Sequence, residues 1–309
     1  MTDAIPSSGS LARYTAASQR AAGRIIASYS TSFGMATRLL GARHRTHVRC
    51  IYALARVADE LVDGATAEAG IPAAEQHVAL ALLEAETERA LDSGYSSNPI
   101  VHAFAHAARD SSIGPELTRP FFASMRTDLP SLWQPDETGI VTPSAPTFDD
   151  RAHADYVFGS AEVIGLMCLS VFLRTEHRTD EQLRLLENGA RQLGAAFQNV
   201  NFLRDLADDT GRLGRSYLSE SGHIDDAQQQ RWVAVIRQQL AAAAESLPLL
   251  PADARLAVCT ALRLFSRLTE RIARTPAEHL YRRRLRVPAH EKAWLIGRAV
   301  LETRKGYAQ

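Results

Sequence analysis

An all-α protein of one domain is the fold this sequence predicts, and three observations predict it. Apolar residues recur at helical spacing along most of the chain. Strand-like runs are sparse, and no hairpin dipeptide sits between alternating segments. Prolines at Pro72, Pro99 and Pro115 stand where a first helical turn tolerates them. The 309 residues are long for one domain, yet within range of a single large helical core.

Residues 1–10 carry neither a basic start nor an apolar run and are expected to be a disordered tail, with the folded domain spanning 11–309. Ser10 is expected to cap a first helix over 11–28, and the polar cluster Tyr29-Ser-Thr-Ser-Phe33 to break it. A long helix follows over 43–63, with Val48, Ile51, Ala55, Ala58 and Val62 as its apolar contacts and Gly64 as its stop. Further helices are expected over 72–92, 99–109 and 115–129. Residues 129–147 hold four prolines and little periodicity, which reads as a surface loop or flap. Helices resume over 148–173, 180–209, 225–247, 252–274 and 288–306.

Composition excludes more than it proposes. With 35 basic and 35 acidic residues the formal net charge is zero, so global charge gives no argument for nucleic acid. Three widely spaced cysteines without a CxxC pair suggest reduced thiols in an intracellular, cytoplasmic protein. No run of eighteen apolar residues occurs, so no membrane span is expected, while peripheral contact with the inner face of a membrane is left open.

The chemistry is carried by two polar stripes on apolar helices. Gln198, Asn201, Asp205 and Asp208/Asp209 recur every three to four residues and share one helix face. Tyr52, Arg56, Asp59 and Asp63 do the same on the helix before Gly64. Carboxylates on a core-like helix are costly unless a cation satisfies them. Carboxylates a turn apart suit a hard cation that takes oxygen ligands, which is Mg²⁺ rather than zinc. Arg56, Arg204 and Arg215 beside these stripes match phosphate oxygens. Together they imply a diphosphate delivered with metal. One such stripe alone is as readily a solvated face. Two, each with an arginine, are not.

These residues resemble the two aspartate-rich motifs of the squalene and phytoene synthases, the head-to-head prenyl synthases. The resemblance covers most of the chain. It runs through Tyr29-Ser-Thr-Ser-Phe33, Asp59–Asp63, Met125 with Asp128-Leu129, Tyr156 to Gly165, Gly194 to Leu218, and Tyr281 to Lys292. Thr31 departs from the family's usual lysine, Glu162 from its glycine, and Ser219 from its proline. The wording is most similar to the bacterial, phytoene-forming branch.

The resemblance implies a helical bundle of the isoprenoid synthase type with a central active-site cavity. It implies Mg²⁺, or Mn²⁺ in its place, held by Asp59, Asp63, Asn201, Asp205 and Asp209. Tyr29, Ser30, Ser32, Tyr52, Arg56, Gln198, Arg204, Arg215, Tyr217 and Tyr281 match positions that contact prenyl diphosphate substrate, and Tyr156 is expected near the cationic intermediates. The implied reaction joins two geranylgeranyl diphosphates through a cyclopropyl diphosphate without NADPH, as in carotenoid biosynthesis. The alternatives are a squalene or dehydrosqualene synthase acting on farnesyl diphosphate and, further off, a non-catalytic scaffold of the same fold. His102 and His106 are read as an ordinary histidine pair, and Arg282–Arg284 as a solvated face before a flank of the active-site mouth.

Overall fold

A computed structural model of the chain describes residues 9–30, 32–129, 148–211, 217–218 and 223–305, with only the backbone of 32, 63, 208–211 and 304–305. The described residues form helices and no strand. In chain order these are α1 (Ser10–Tyr29), α2 (Ser32–Arg38), α3 (Ala42–Asp63), α4 (Ala65–Glu68), α5 (Ala73–Ser93), α6 (Pro99–Asp110) and α7 (Pro115–Thr127). Then come α8 (Asp150–Val157), a π-turn (Phe158–Glu162) and α9 (Val163–Leu173). The rest are α10 (Asp180–Gly211), α11 (Asp226–Ser246), α12 (Ala252–Ala273), α13 (Ala277–Leu280) and α14 (Ala289–Lys305), with a 3₁₀ turn at Leu247–Leu249.

The long expected helices form, except that a π-turn interrupts the one expected over 148–173 and that α13 is unexpected; three further details differ. Gly9 rather than Ser10 occupies the N-cap of α1. The polar break after Tyr29 is short, because Ser30 Oγ accepts the Gly34 amide at 3.2 Å and helps a new helix, α2, to start. Beyond Gly64 the chain makes one further turn, α4. Residues 1–8 and 130–147, the expected tail and flap, lie outside the described residues.

Two apolar cores meet along the α8–α9 rod. One gathers Leu54, Leu80, Phe104, Phe122 and Met167 from α3, α5, α6, α7 and α9. The other gathers Val157, Leu203, Ile236, Leu264 and Ile272 from α8, α10, α11 and α12. By length and composition alone the rod from Asp150 to Leu173 could cross a bilayer, with a mean hydropathy of 1.8 in its apolar window. Its packing against α3, α7 and α10 is that of a core helix.

Two glycines allow the rod to sit this close. A Cβ on Gly159 would lie 2.2 Å from the Pro120 carbonyl oxygen, and one on Gly194 would lie 2.5 Å from the Ala161 carbonyl oxygen. The π-turn is therefore pressed between the backbones of α7 and α10. Its Glu162 is held in an ion pair. The carboxylate accepts Arg191 Nε of α10 at 2.7 Å, and that guanidinium lies over the Phe158 ring.

Candidate active site

The first acidic stripe folds against the α1–α2 break. Arg56 reaches along its own helix to Asp59 and Glu60, the three- and four-residue spacing that brings side chains together. Its guanidinium also covers the exposed ring of Tyr29 at 4.4 Å. Tyr52, one turn earlier, stacks on Phe33 with ring centres 5.5 Å apart. Burial raises the Tyr52 pKa, with Arg56 and a hydrogen bond to Ser30 acting in the other direction. Burial alone would lower the Arg56 pKa, but Asp59 and Glu60 outweigh it and the net shift is upward. Arg56 Nε is a buried donor without a partner. Such a donor carries a desolvation penalty until an acceptor arrives.

The second stripe is organised around Asp205. Arg204 donates to both of its oxygens, with Nε 2.9 Å from Oδ1. Arg284, from the segment after α13, places its own Nε 2.7 Å from Oδ1. Two guanidiniums thus converge on one carboxylate. One and two turns back, the half-buried Asn201 and Gln198 have no protein hydrogen-bond partner among the described residues. Phe197 stacks on Phe265 at 3.7 Å, and Tyr281 accepts the Ile224 amide at 2.9 Å. Burial raises the Tyr281 pKa.

A buried carboxylate ties Tyr217 to the bundle. Asp128, at the C-terminus of α7, is 4% exposed and accepts two phenols. Tyr156 Oη of α8 donates to one oxygen at 2.6 Å, and Tyr217 Oη donates to the other at 2.7 Å. Phe202 stacks on the Tyr217 ring at 4.4 Å, and Phe148 closes the cluster at 5.2 Å. His153 Nδ1 donates to the Tyr217 carbonyl at 2.8 Å, and Trp232 Nε1 to the Leu218 carbonyl at 3.1 Å. Burial lowers the His153 pKa. Tyr156 and Tyr217 are thus held by Asp128.

Of the residues expected at the site, the structure brings Tyr29, Ser30, Tyr52, Arg56 and Asp59 into one group. Arg204 and Asp205 form a second, with Gln198 and Asn201 on the preceding turns of α10. Tyr156 and Tyr217 form a third around Asp128. Tyr281 stands apart on Ile224. The side chains of Ser32, Asp63 and Asp209, and Arg215 altogether, lie outside the described residues. Among the described residues no three His, Cys, Asp or Glu side chains cluster as a metal site. The donors that the stripes offer are nonetheless the right kind for a hard cation: Asp59, Asp205 and the unpartnered amide of Asn201 are all oxygen ligands.

Asp128 matches the family's middle helices but takes no role from the sequence, and Arg284 is not singled out there as a site residue. Arg284 belongs to the run read as a solvated face, and its contact with Asp205 supports the flanking position instead. His102, by contrast, is a satisfied core histidine, with Thr15 Oγ1 2.8 Å from its Nε2. Among the described residues an open groove of about 390 Å³ lies beside α1, lined by Leu11, Thr15, Gln19 and His106.

Residues 26–291 match the family model for squalene/phytoene synthase, and the chain belongs to that family. It is 26% identical to a phytoene synthase of Arthrospira platensis over 91% of this chain and 92% of that one. A phytoene synthase of Mycobacterium tuberculosis is 28% identical over 87% of this chain and 86% of its own. A crystal structure of a dehydrosqualene synthase in complex with ligand superposes with a TM-score of 0.69 at 19% identity, over 95% of this chain and 99% of that one. At that identity the superposition establishes the shared helical fold.

Proposed function

We propose that the chain is a phytoene-forming prenyltransferase. It joins two geranylgeranyl diphosphates head to head, through a cyclopropyl diphosphate, without NADPH. The observation that carries this reading is the likeness to phytoene synthases over nearly the whole chain, together with two acidic helices that each bear arginine-bound aspartates. We place it in the cytoplasm, with prenyl diphosphates and no nucleic acid as its partners.

Mg²⁺ or Mn²⁺, held by Asp59, Asp63, Asn201, Asp205 and Asp209, would supply charge neutralisation for the departing diphosphate. The chain's own residues prepare for that anion. Arg56 offers an unpartnered buried Nε. Arg204 and Arg284 hold Asp205 and present positive charge that can pass to phosphate oxygens. Allylic cations demand a site free of water, and stacked pairs such as Phe33–Tyr52 and Phe197–Phe265 give dry walls near each stripe.

The test is product identification with C15 and C20 diphosphates, with and without Mg²⁺ and NADPH. Phytoene from the C20 substrate without NADPH supports the reading. Squalene formed only with NADPH, or dehydrosqualene from the C15 substrate alone, overturns it.

A further inference from the structure

Charge is distributed unevenly along this chain. Residues 4–58 hold eight arginines and no Asp or Glu, although the formal net charge of the whole is zero. On one side of α3 the fold supplies acids from other elements. Glu176 and Asp253 pair with Arg43, Asp253 also with His44, and Asp110 with His47 and Arg174.

The opposite side of α3 is different. Arg45 and Arg49 stand four residues apart and share a face, which continues through Tyr52 to Arg56. Arg45 is fixed in place, with Nε and Nη2 donating to the Leu40 carbonyl at 3.2 and 2.7 Å. Arg49 Nη1 lies 4.0 Å from where a Cβ on Gly23 would stand, so its guanidinium rests against α1 at that helix's one glycine. Arg38 ends α2 beside them. Burial, and then the charges of Arg45 and Arg38, depress the Arg49 pKa, which puts the three guanidiniums in one neighbourhood. Among the described residues none of the three has a carboxylate partner, and Arg49 Nε is a buried donor without an acceptor.

Such a cluster is costly by itself, because like charges repel and a buried donor without an acceptor carries a desolvation penalty. A multivalent oxyanion offsets both costs, since guanidinium forks match phosphate oxygens. A free anion fits better than a lipid headgroup. No large apolar side chain is exposed between Phe33 and Tyr52 to enter a bilayer. Along α3, Arg49 is two turns, about 10 Å, from Arg56 of the first stripe.

We propose that Arg38, Arg45 and Arg49 form an anion site, separate from the acidic stripes, that binds inorganic phosphate or diphosphate. Diphosphate as its natural ligand rests on the prenyl reading, in which each turnover releases two of them. The binding itself does not, and it is measured without substrate.

The test is isothermal titration of the full-length protein with sodium phosphate and sodium diphosphate, without divalent metal, joined to thermal unfolding. Diphosphate is expected to bind and to raise the unfolding midpoint. Arg49→Gln should weaken that binding about tenfold, the scale of one charge-assisted contact, and should unfold no earlier than wild type when anion is absent. Gly23→Glu brings a carboxylate to the Arg49 guanidinium. It should unfold later than Gly23→Gln without anion and respond to diphosphate less. Arg56→Gln/Arg204→Gln, which alters the acidic stripes, should retain the Arg49-dependent binding. Unchanged binding in Arg49→Gln, loss of all binding in Arg56→Gln/Arg204→Gln, equal behaviour of Gly23→Glu and Gly23→Gln, or a response to phosphatidylglycerol vesicles and none to free diphosphate would overturn the proposal. Arg49-dependent diphosphate binding without phytoene formation would keep the site and reject the prenyl reading, and phytoene formation without such binding would do the reverse.

Discussion

Tyr217→Phe should loosen the segment that follows the second acidic stripe, and the size of the effect can be worked from its contacts. The phenol donates at 2.7 Å to a carboxylate that is 4% exposed. A hydrogen bond to a charged, buried acceptor contributes about 1.5–3 kcal/mol. Tyr217→Phe and Tyr156→Phe are therefore each expected to lower unfolding free energy by about 2 kcal/mol. Asp128→Ala removes both bonds, so about 4 kcal/mol is expected. Because the groups share one acceptor, the losses should not add. Asp128→Ala/Tyr217→Phe should be less destabilised than the sum of its parts by about 1–2 kcal/mol. Urea unfolding followed by helical ellipticity measures each term. Additivity within about 0.5 kcal/mol would show that Asp128 does not hold the Tyr217 segment and would refute the reasoning.

Asp205→Asn should lower product formation by two to three orders of magnitude, roughly, with helical content unchanged; radiolabelled substrate measures it, and unchanged turnover would remove Asp205 from the metal set. Gly194→Ala should destabilise the chain by about 1–3 kcal/mol, because its Cβ would meet the Ala161 carbonyl oxygen at 2.5 Å in the backbone of the π-turn; a denaturation midpoint equal to wild type would contradict that packing. Burial depresses the pKa values of His44, His47, His102 and His153 below the ordinary histidine value. Their contribution is fully present above the unfolded value of about 6.5 and is lost as pH falls below it. The urea midpoint should therefore decline between about pH 7 and pH 5, with a shallower slope in His153→Gln. Further acidification removes a contribution from Asp253, whose hydrogen bond with Arg43 holds its pKa at about 2 against the opposing effect of burial. Arg284→Gln should raise KM for prenyl diphosphate more than it lowers kcat, which steady-state kinetics at saturating Mg²⁺ can read; wild-type kinetics would reduce Arg284 to a surface residue.

Helical periodicity carried most of the architecture and the skeleton of the site. The stripes Arg56–Asp59 and Gln198–Asn201–Asp205 could be read because 3.6-residue spacing turns sequence directly into a face. What escaped the sequence depends on distance along the chain or on backbone detail. Asp128 meets Tyr217 across 89 positions, and no local pattern announces such a pair. Arg284 sits in an arginine run, for which a solvated face is the sound default, and only the fold brings it to Asp205. The π-turn at Phe158–Glu162 shifts hydrogen bonds without changing residue types, so the segment reads as an uninterrupted helix. α2 was hidden because Ser30-Thr31-Ser32 reads as a break, whereas Ser30 also supports the start of the next helix.

The central claim is that the two arginine-bound acidic helices act together on a C20 diphosphate. Incubating the purified chain with geranylgeranyl diphosphate and Mg²⁺, without NADPH, and analysing the hydrocarbon product tests it most directly. Phytoene, lost on chelation of the metal and in Asp59→Asn and Asp205→Asn alike, is the result predicted. Phytoene formed at an undiminished rate by either variant, or no product from the C20 substrate with dehydrosqualene or squalene from the C15 substrate, would contradict it.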